Sequence, residues 1–236
     1  KYNIKIDHTF TSPRYNFFGH PNLEISNHWL KWFKKFIDIT ASLNAKGTGC
    51  LLSIFSVNDY KFRRELIETR IIKKWKELSL YAKNKKLEYL LWEPMSIKRE
   101  MGETIKKANY LNDKLNKNNK GVPINICLDV DHGDISSKNL NDHNPYKWIE
   151  LLGQKSPVLH IKQRTNNVYG HKPFTKKYNK EGIIKPKKII KYLKYLDLDE
   201  IYLYLELSFR EREPFESKVI DDLRESIEFW KKYINL

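Results

Sequence analysis

Short apolar runs alternate with longer amphipathic stretches along this 236-residue chain, and that alternation restricts the possible folds more than any other feature. Runs of this length, rich in β-branched and aromatic residues, read as buried strands. They are expected at 4–10, 49–55, 87–92, 123–129, from 158, and at 201–206. Helices are expected between and after them, at 26–43, 63–82, 103–117, 144–152, 186–195 and 216–233. Apolar residues recur at helical spacing in the first two: Trp29, Leu30, Phe33, Phe36 and Ile37, then Leu66, Ile67, Ile71, Trp75 and Leu78. Pro145 and Pro186 suit first helical positions, where a missing N–H costs nothing. Six strand–helix units without tandem strands imply a parallel sheet covered by helices.

Four of the strands end in a residue able to bind a metal. Tyr89-Leu90-Leu91-Trp92 ends in Glu93, and Ile124 to Leu128 ends in Asp129, with His132 three residues on. Pro157-Val158-Leu159 ends in His160, and Ile201 to Leu205 ends in Glu206. Parallel strands lying side by side bring such ends together, and the C-terminal strand ends of a β/α barrel are where active sites form. Two Glu, one Asp and one His make an oxygen-rich set for one divalent cation, Mn²⁺ or Mg²⁺ first, with Co²⁺ or Zn²⁺ as alternatives. Taken singly, each carboxylate reads equally well as a helix N-cap or a loop ion pair, and a single His as a core residue. The four together favour a metal site. His8, at the end of the first expected strand, is a further candidate to line the pocket.

Composition narrows the function. The net charge of +15 would suit a nucleic-acid binder, but the lysines spread through every helix and form no block, so no nucleic-acid partner is expected. The positive field would instead attract an anionic small molecule. No apolar run reaches membrane-spanning length, so no membrane partner is expected. Cys50 and Cys127 sit inside expected strands as buried thiols, which fits a cytoplasmic location. The chain has neither a GxGxxG nor a GxxxxGK[ST] motif, so dinucleotide-binding and P-loop readings lack support.

These residues resemble the xylose isomerase-like (β/α)8 TIM-barrel proteins, the sugar and sugar-phosphate isomerases and epimerases. The match covers nearly the whole chain, residues 1–236, read as one domain holding barrel units three to eight. On this expectation two units precede Lys1, and the barrel is incomplete or open. The family's Glu, Asp, His and Glu ligands match Glu93 in Trp-Glu-Pro-Met, Asp129 in Leu-Asp-Val-Asp-His, His160 in Leu-His-Ile-Lys-Gln and Glu206 in Leu-Glu-Leu-Ser. The resemblance also implies substrate contacts from His132, Arg164 and Glu100, the last two at altered spacing, and frequent homo-oligomers. Within the family, the passages at 8–11, 49–56, 160–163 and 206–216 are most similar to the tetrulose-phosphate epimerase branch.

The implied chemistry is epimerisation at C3 of a ketose or ketose phosphate through an enediolate. Inversion needs a base on one face and an acid on the other, and Glu93 and Glu206 are the candidates. Cations for a phosphate are available after the last two ligands, as Lys162, Arg164, His171 and Lys172, and as Arg210 and Arg212. An aldose–ketose isomerase shares the enediolate and is the alternative. An endonuclease IV-like repair enzyme shares the barrel but needs more histidines at strand ends. His20, His28, His143 and His171 do not occupy such positions.

Overall fold

The computed structural model describes residues 4–13, 16–165, 170–196, 198, 200–209 and 215–234. Contacts divide the chain into two units, residues 1–127 with 133–137, and residues 128–132 with 138–236.

The first unit begins with β1 (His8–Phe10), α1 (Leu23–Ser42), β2 (Gly47–Leu51), α2 (Val57–Phe62) and α3 (Arg64–Asn84). It continues with β3 (Tyr89–Glu93), α4 (Ile105–Asn116) and the first four residues of β4 (Ile124–Asp129). All strand pairs here are parallel, in the order β1-β2-β3-β4. Every residue of β2 and β3 is buried, as expected for parallel strands covered on both faces. Gly49 permits close packing of β2 on β3, since a Cβ there would lie 2.5 Å from the Leu91 carbonyl oxygen. Helices α1 and α3 pack through an aromatic centre. Trp75 is fully buried between Phe18 and Phe33, with ring centroids 6.0 and 5.9 Å away. Its indole N–H donates to the Leu52 carbonyl at 2.9 Å.

The second unit takes the end of β4, then α5 (Pro145–Leu152), β5 (Val158–Ile161), α6 (Lys176–Asn179), α7 (Pro186–Leu193), β6 (Tyr202–Leu205) and α8 (Val219–Lys231). Strands β5 and β6 pair in parallel. Phe174 anchors α8 through an edge contact with Trp230 at 5.2 Å.

The expected strand–helix order holds in both units. The first strand is shorter than the apolar pattern suggested, because residues 4–7 lie outside β1. Leu66 is 59% exposed, whereas Ile67, Ile71, Trp75 and Leu78 are buried. One residue turns a helix by about 100°, enough to carry Leu66 off the buried stripe. Helix α2 was not expected. Its start is marked by Ser56, whose hydroxyl accepts from the Asp59 N–H at 3.0 Å. Cys50 and Cys127 are buried thiols, as expected. Among the described residues no helix is long and apolar enough to cross a membrane.

Candidate active site

In the second unit the C-terminal ends of three strands carry the candidate ligands. Asp129 is the last residue of β4, His160 lies inside β5, and Glu206 directly follows β6. Parallel pairing sets His160 opposite Tyr204 and Ile161 opposite Leu205. The ladder extends one residue further, with the Glu206 N–H donating to the Ile161 carbonyl at 3.1 Å, and on the other side of β5 the Val130 N–H, just past β4, donates to the His160 carbonyl at 3.2 Å. Ligand atoms of Asp129, His160 and Glu206 all lie within 4.8 Å of one another. Asp129 is further fixed by the Asp131 N–H, which donates to its Oδ1 at 2.7 Å.

A lysine stands among these groups. Residues two apart on a strand share a face, so His160-Ile161-Lys162 carries Lys162 to the side where His160 points. The Lys162 side chain is fully buried. Its ammonium donates to Asp129 Oδ2 and, at 2.5 Å, to Glu206 Oε2. It also lies 3.1 Å from His171 Nδ1. His160 Nδ1 lies 3.5 Å from Glu206 Oε2, and His132 Nε2 lies 3.7 Å from Asp129 Oδ2.

Electrostatics keep this cluster charged. Burial would raise the Asp129 carboxyl, but the charges of His132 and Lys162 outweigh it and hold Asp129 well below its usual range. Burial likewise opposes the Glu206 carboxylate, and the contact from His160 with the charge of Lys162 holds Glu206 below its usual value. The two carboxylates outweigh burial at Lys162 and hold its ammonium above its ordinary value. Burial, then the Lys162 charge, lowers His171. Two ionised carboxylates and an imidazole converging this closely fit a hard divalent cation. The ammonium between them shows that the pocket already accommodates positive charge.

Arg164 is 4% exposed, donates to the His143 carbonyl at 2.9 Å, and faces Asp131 Oδ1 from 3.6 Å. It is therefore engaged inside the protein. Lys172 lies 5.3 Å above the Tyr178 ring. Arg210 and Arg212 lie outside the described residues.

In the first unit Glu93 ends β3 and is 3% exposed, with its carboxylate within 4.8 Å of the Cys127 sulfur. His8 begins β1 instead of ending the first strand. It is in register with Gly47 and, through it, Tyr89, to whose hydroxyl it is hydrogen-bonded. That position is four residues from Glu93, about 13 Å along the strand at 3.3 Å per residue, toward the N-terminal end. Glu100 is half-buried in a 3₁₀ turn, Lys98–Glu100. A buried carboxylate of this loop is Glu103, which the sequence pattern assigns to the following helix. Glu103 is 6% exposed, and its Oε2 is buried without a hydrogen bond. The signal lay in Gly102-Glu103-Thr104: Gly102 takes φ +85°, and Thr104 caps α4, leaving Glu103 outside the helix.

A D-erythrulose 1-phosphate 3-epimerase from Brucella abortus (strain 2308) is 38% identical over 236 residues, covering 98% of this chain and 76% of the relative. Among solved structures, a candidate xylose isomerase from Rhodospirillum rubrum superposes with a TM-score of 0.84 at 24% identity, over 97% of this chain and 77% of that one. A D-psicose 3-epimerase superposes at 0.69 and 13% identity, over 95% and 77%. The IolI protein, solved with a bound zinc atom, superposes at 0.66 and 16% identity, over 97% and 77%. At these identities the structural likenesses speak for the (β/α)8 barrel fold. The family profile described as xylose isomerase-like TIM barrel matches residues 1–233. With that match and the 38% identical relative, the chain belongs to the xylose isomerase-like TIM-barrel family.

Proposed function

We propose that this protein is a divalent-metal-dependent ketose-phosphate 3-epimerase that acts on a tetrulose phosphate through an enediolate. The class, a carbohydrate isomerase, is carried by the relatives, and the substrate and mechanism are our reading. The observation that supports the mechanism is the convergence of Asp129, His160 and Glu206 at the C-terminal ends of β4, β5 and β6. The single family match over 1–233 supports reading the chain as one domain.

Asp129, His160 and Glu206 would hold the cation. Glu93 retains its assignment as fourth ligand on the strength of its place at the end of β3 and of the family resemblance. When bound, the ion would supply Lewis-acid polarisation of the ketose carbonyl. Glu206, held ionised, takes the proton at C3 as general base. Glu93 is the proposed partner that returns a proton to the opposite face. The mechanism requires both, since a single carboxylate on one face would give the original epimer back. His132, beside Asp129, donates to the substrate oxygen where negative charge develops. Lys162 is the cation within the cluster able to meet a substrate oxygen. For the outer contacts, Glu100 remains a candidate for a substrate hydroxyl, and Arg164 orders the pocket wall through His143 and Asp131. His8 is best placed for packing against Tyr89.

The test is a metal analysis followed by assays with Mn²⁺ on tetrulose, pentulose and hexulose phosphates in deuterium oxide. Deuterium entering C3 of a tetrulose phosphate with inversion is the expected result. Conversion to an aldose would move the reading to an isomerase, and absence of exchange on every sugar would overturn it.

A further inference from the structure

We propose that Lys162 is a resident cation of the ligand cluster, so that a divalent ion binds by displacing this ammonium, and Lys162 thereby sets the metal affinity. The inference rests on the metal reading above and goes beyond it, because it concerns a residue that is not a ligand.

The geometry behind it is specific. A buried lysine is tolerated only when paired, and Lys162 has a fully buried side chain. Its ammonium has three hydrogens to donate, and three acceptors surround it: Asp129 Oδ2, Glu206 Oε2 at 2.5 Å and His171 Nδ1 at 3.1 Å. Two of these are oxygens that a cation in the cluster would need. Glu206 Oε2 is the atom facing His160, at 3.5 Å, and Asp129 Oδ2 is the atom facing His132, at 3.7 Å. The ammonium and a divalent ion would therefore compete for the same carboxylate oxygens. Without a resident charge, the buried Asp129 and the half-buried Glu206 would face each other as like charges, an arrangement costly where one of the two is cut off from water. Lys162 supplies that charge. Displaced, its ammonium keeps His171 as one neighbour and gains freedom to meet a substrate oxygen.

A structural ion pair and a resident cation respond in opposite directions when the lysine is removed. If Lys162 merely holds the carboxylates in place, its loss disorders them and weakens metal binding. If it competes, its loss leaves two uncompensated carboxylates and strengthens metal binding.

The experiment is a calorimetric Mn²⁺ titration of chelator-stripped protein: wild type, Lys162→Met, Lys162→Gln and His160→Ala. We expect both Lys162 variants to bind Mn²⁺ roughly 10- to 100-fold more tightly than wild type, the range over which groups around a ligand set tune metal affinity. Their metal-free melting temperatures should fall, and saturating Mn²⁺ should raise them by more than it raises wild type. Lys162→Gln provides the readout if methionine is not accommodated. Equal or weaker affinity in the folded variants overturns the competition while leaving the metal site intact. A His160→Ala protein that binds like wild type, or no binding by any protein, overturns the metal reading itself.

Discussion

Asp131→Asn should change how stability depends on pH, in a direction that the structure fixes. Asp131 is 6% exposed. Its Oδ2 accepts the Gly170 N–H at 2.9 Å, while its Oδ1 is buried without a hydrogen bond and faces Arg164 Nε at 3.6 Å. Burial first, and the Asp129 charge second, push its carboxyl from 3.8 up to about 6. A raised acid favours its protonated form in the folded state. Between pH 4 and 6 the folded protein therefore binds more protons at this position than the unfolded chain, and stability falls as pH rises through that window. The interval from 3.8 to about 6 corresponds, at 1.36 kcal/mol per pH unit, to about 3 kcal/mol. Asparagine removes the titration but can still accept from Gly170. The stability of the variant minus that of wild type should thus climb by up to ~3 kcal/mol from pH 4 to pH 6.5 and then level off. Contacts altered by the amide, chiefly with Arg164, add a constant that does not depend on pH. Urea denaturation of chelator-stripped protein across pH 4–8 measures the difference, since an ion at Asp129 would change the field at Asp131. A difference flat across the window, or one that falls with pH, would refute the reasoning.

Glu206→Gln should lower epimerisation roughly 100- to 10,000-fold, the usual contribution of a general base, with the fold preserved by the near-isosteric amide; wild-type turnover at saturating metal would return Glu206 to a structural role. Mn²⁺ at a hundredfold excess over its Kd should stabilise the protein by about 2.7 kcal/mol in urea titrations, and His160→Ala should abolish most of that gain. Asn112→Ala should cost about 1–3 kcal/mol, because the buried Trp92 indole N–H loses its acceptor, Asn112 Oδ1 at 3.0 Å. The double variant Trp92→Phe with Asn112→Leu should recover much of that loss in the same urea assay, since both polar partners are then gone.

The order of strands and helices was legible in the chain because each period, two for strands and 3.6 for helices, is written locally in side-chain polarity. The candidate ligand positions were legible for a related reason. A polar residue at the C-terminal end of an apolar run needs a polar partner, and Asp129 ends the buried β4, Glu206 follows β6, and His160 lies next to last in β5. Strand limits were less legible where apolar character outlasts pairing. Ile4 and Ile6 extend the first run, but they are 77% and 39% exposed, and hydrogen bonding, not hydrophobicity, decides that β1 starts at His8. Roles that depend on partners distant in sequence were not legible at all. Nothing near Lys162 in the chain states that residues 33 positions before and 44 positions after it supply its two carboxylates. The same holds for Arg164, whose guanidinium donates to the carbonyl of His143, 21 residues away in the chain. Local sequence thus determined the order of strands and helices and most of their buried faces. Only tertiary structure decided which charges neutralise one another, because Coulomb and hydrogen-bond energies depend on distances that chain folding alone creates.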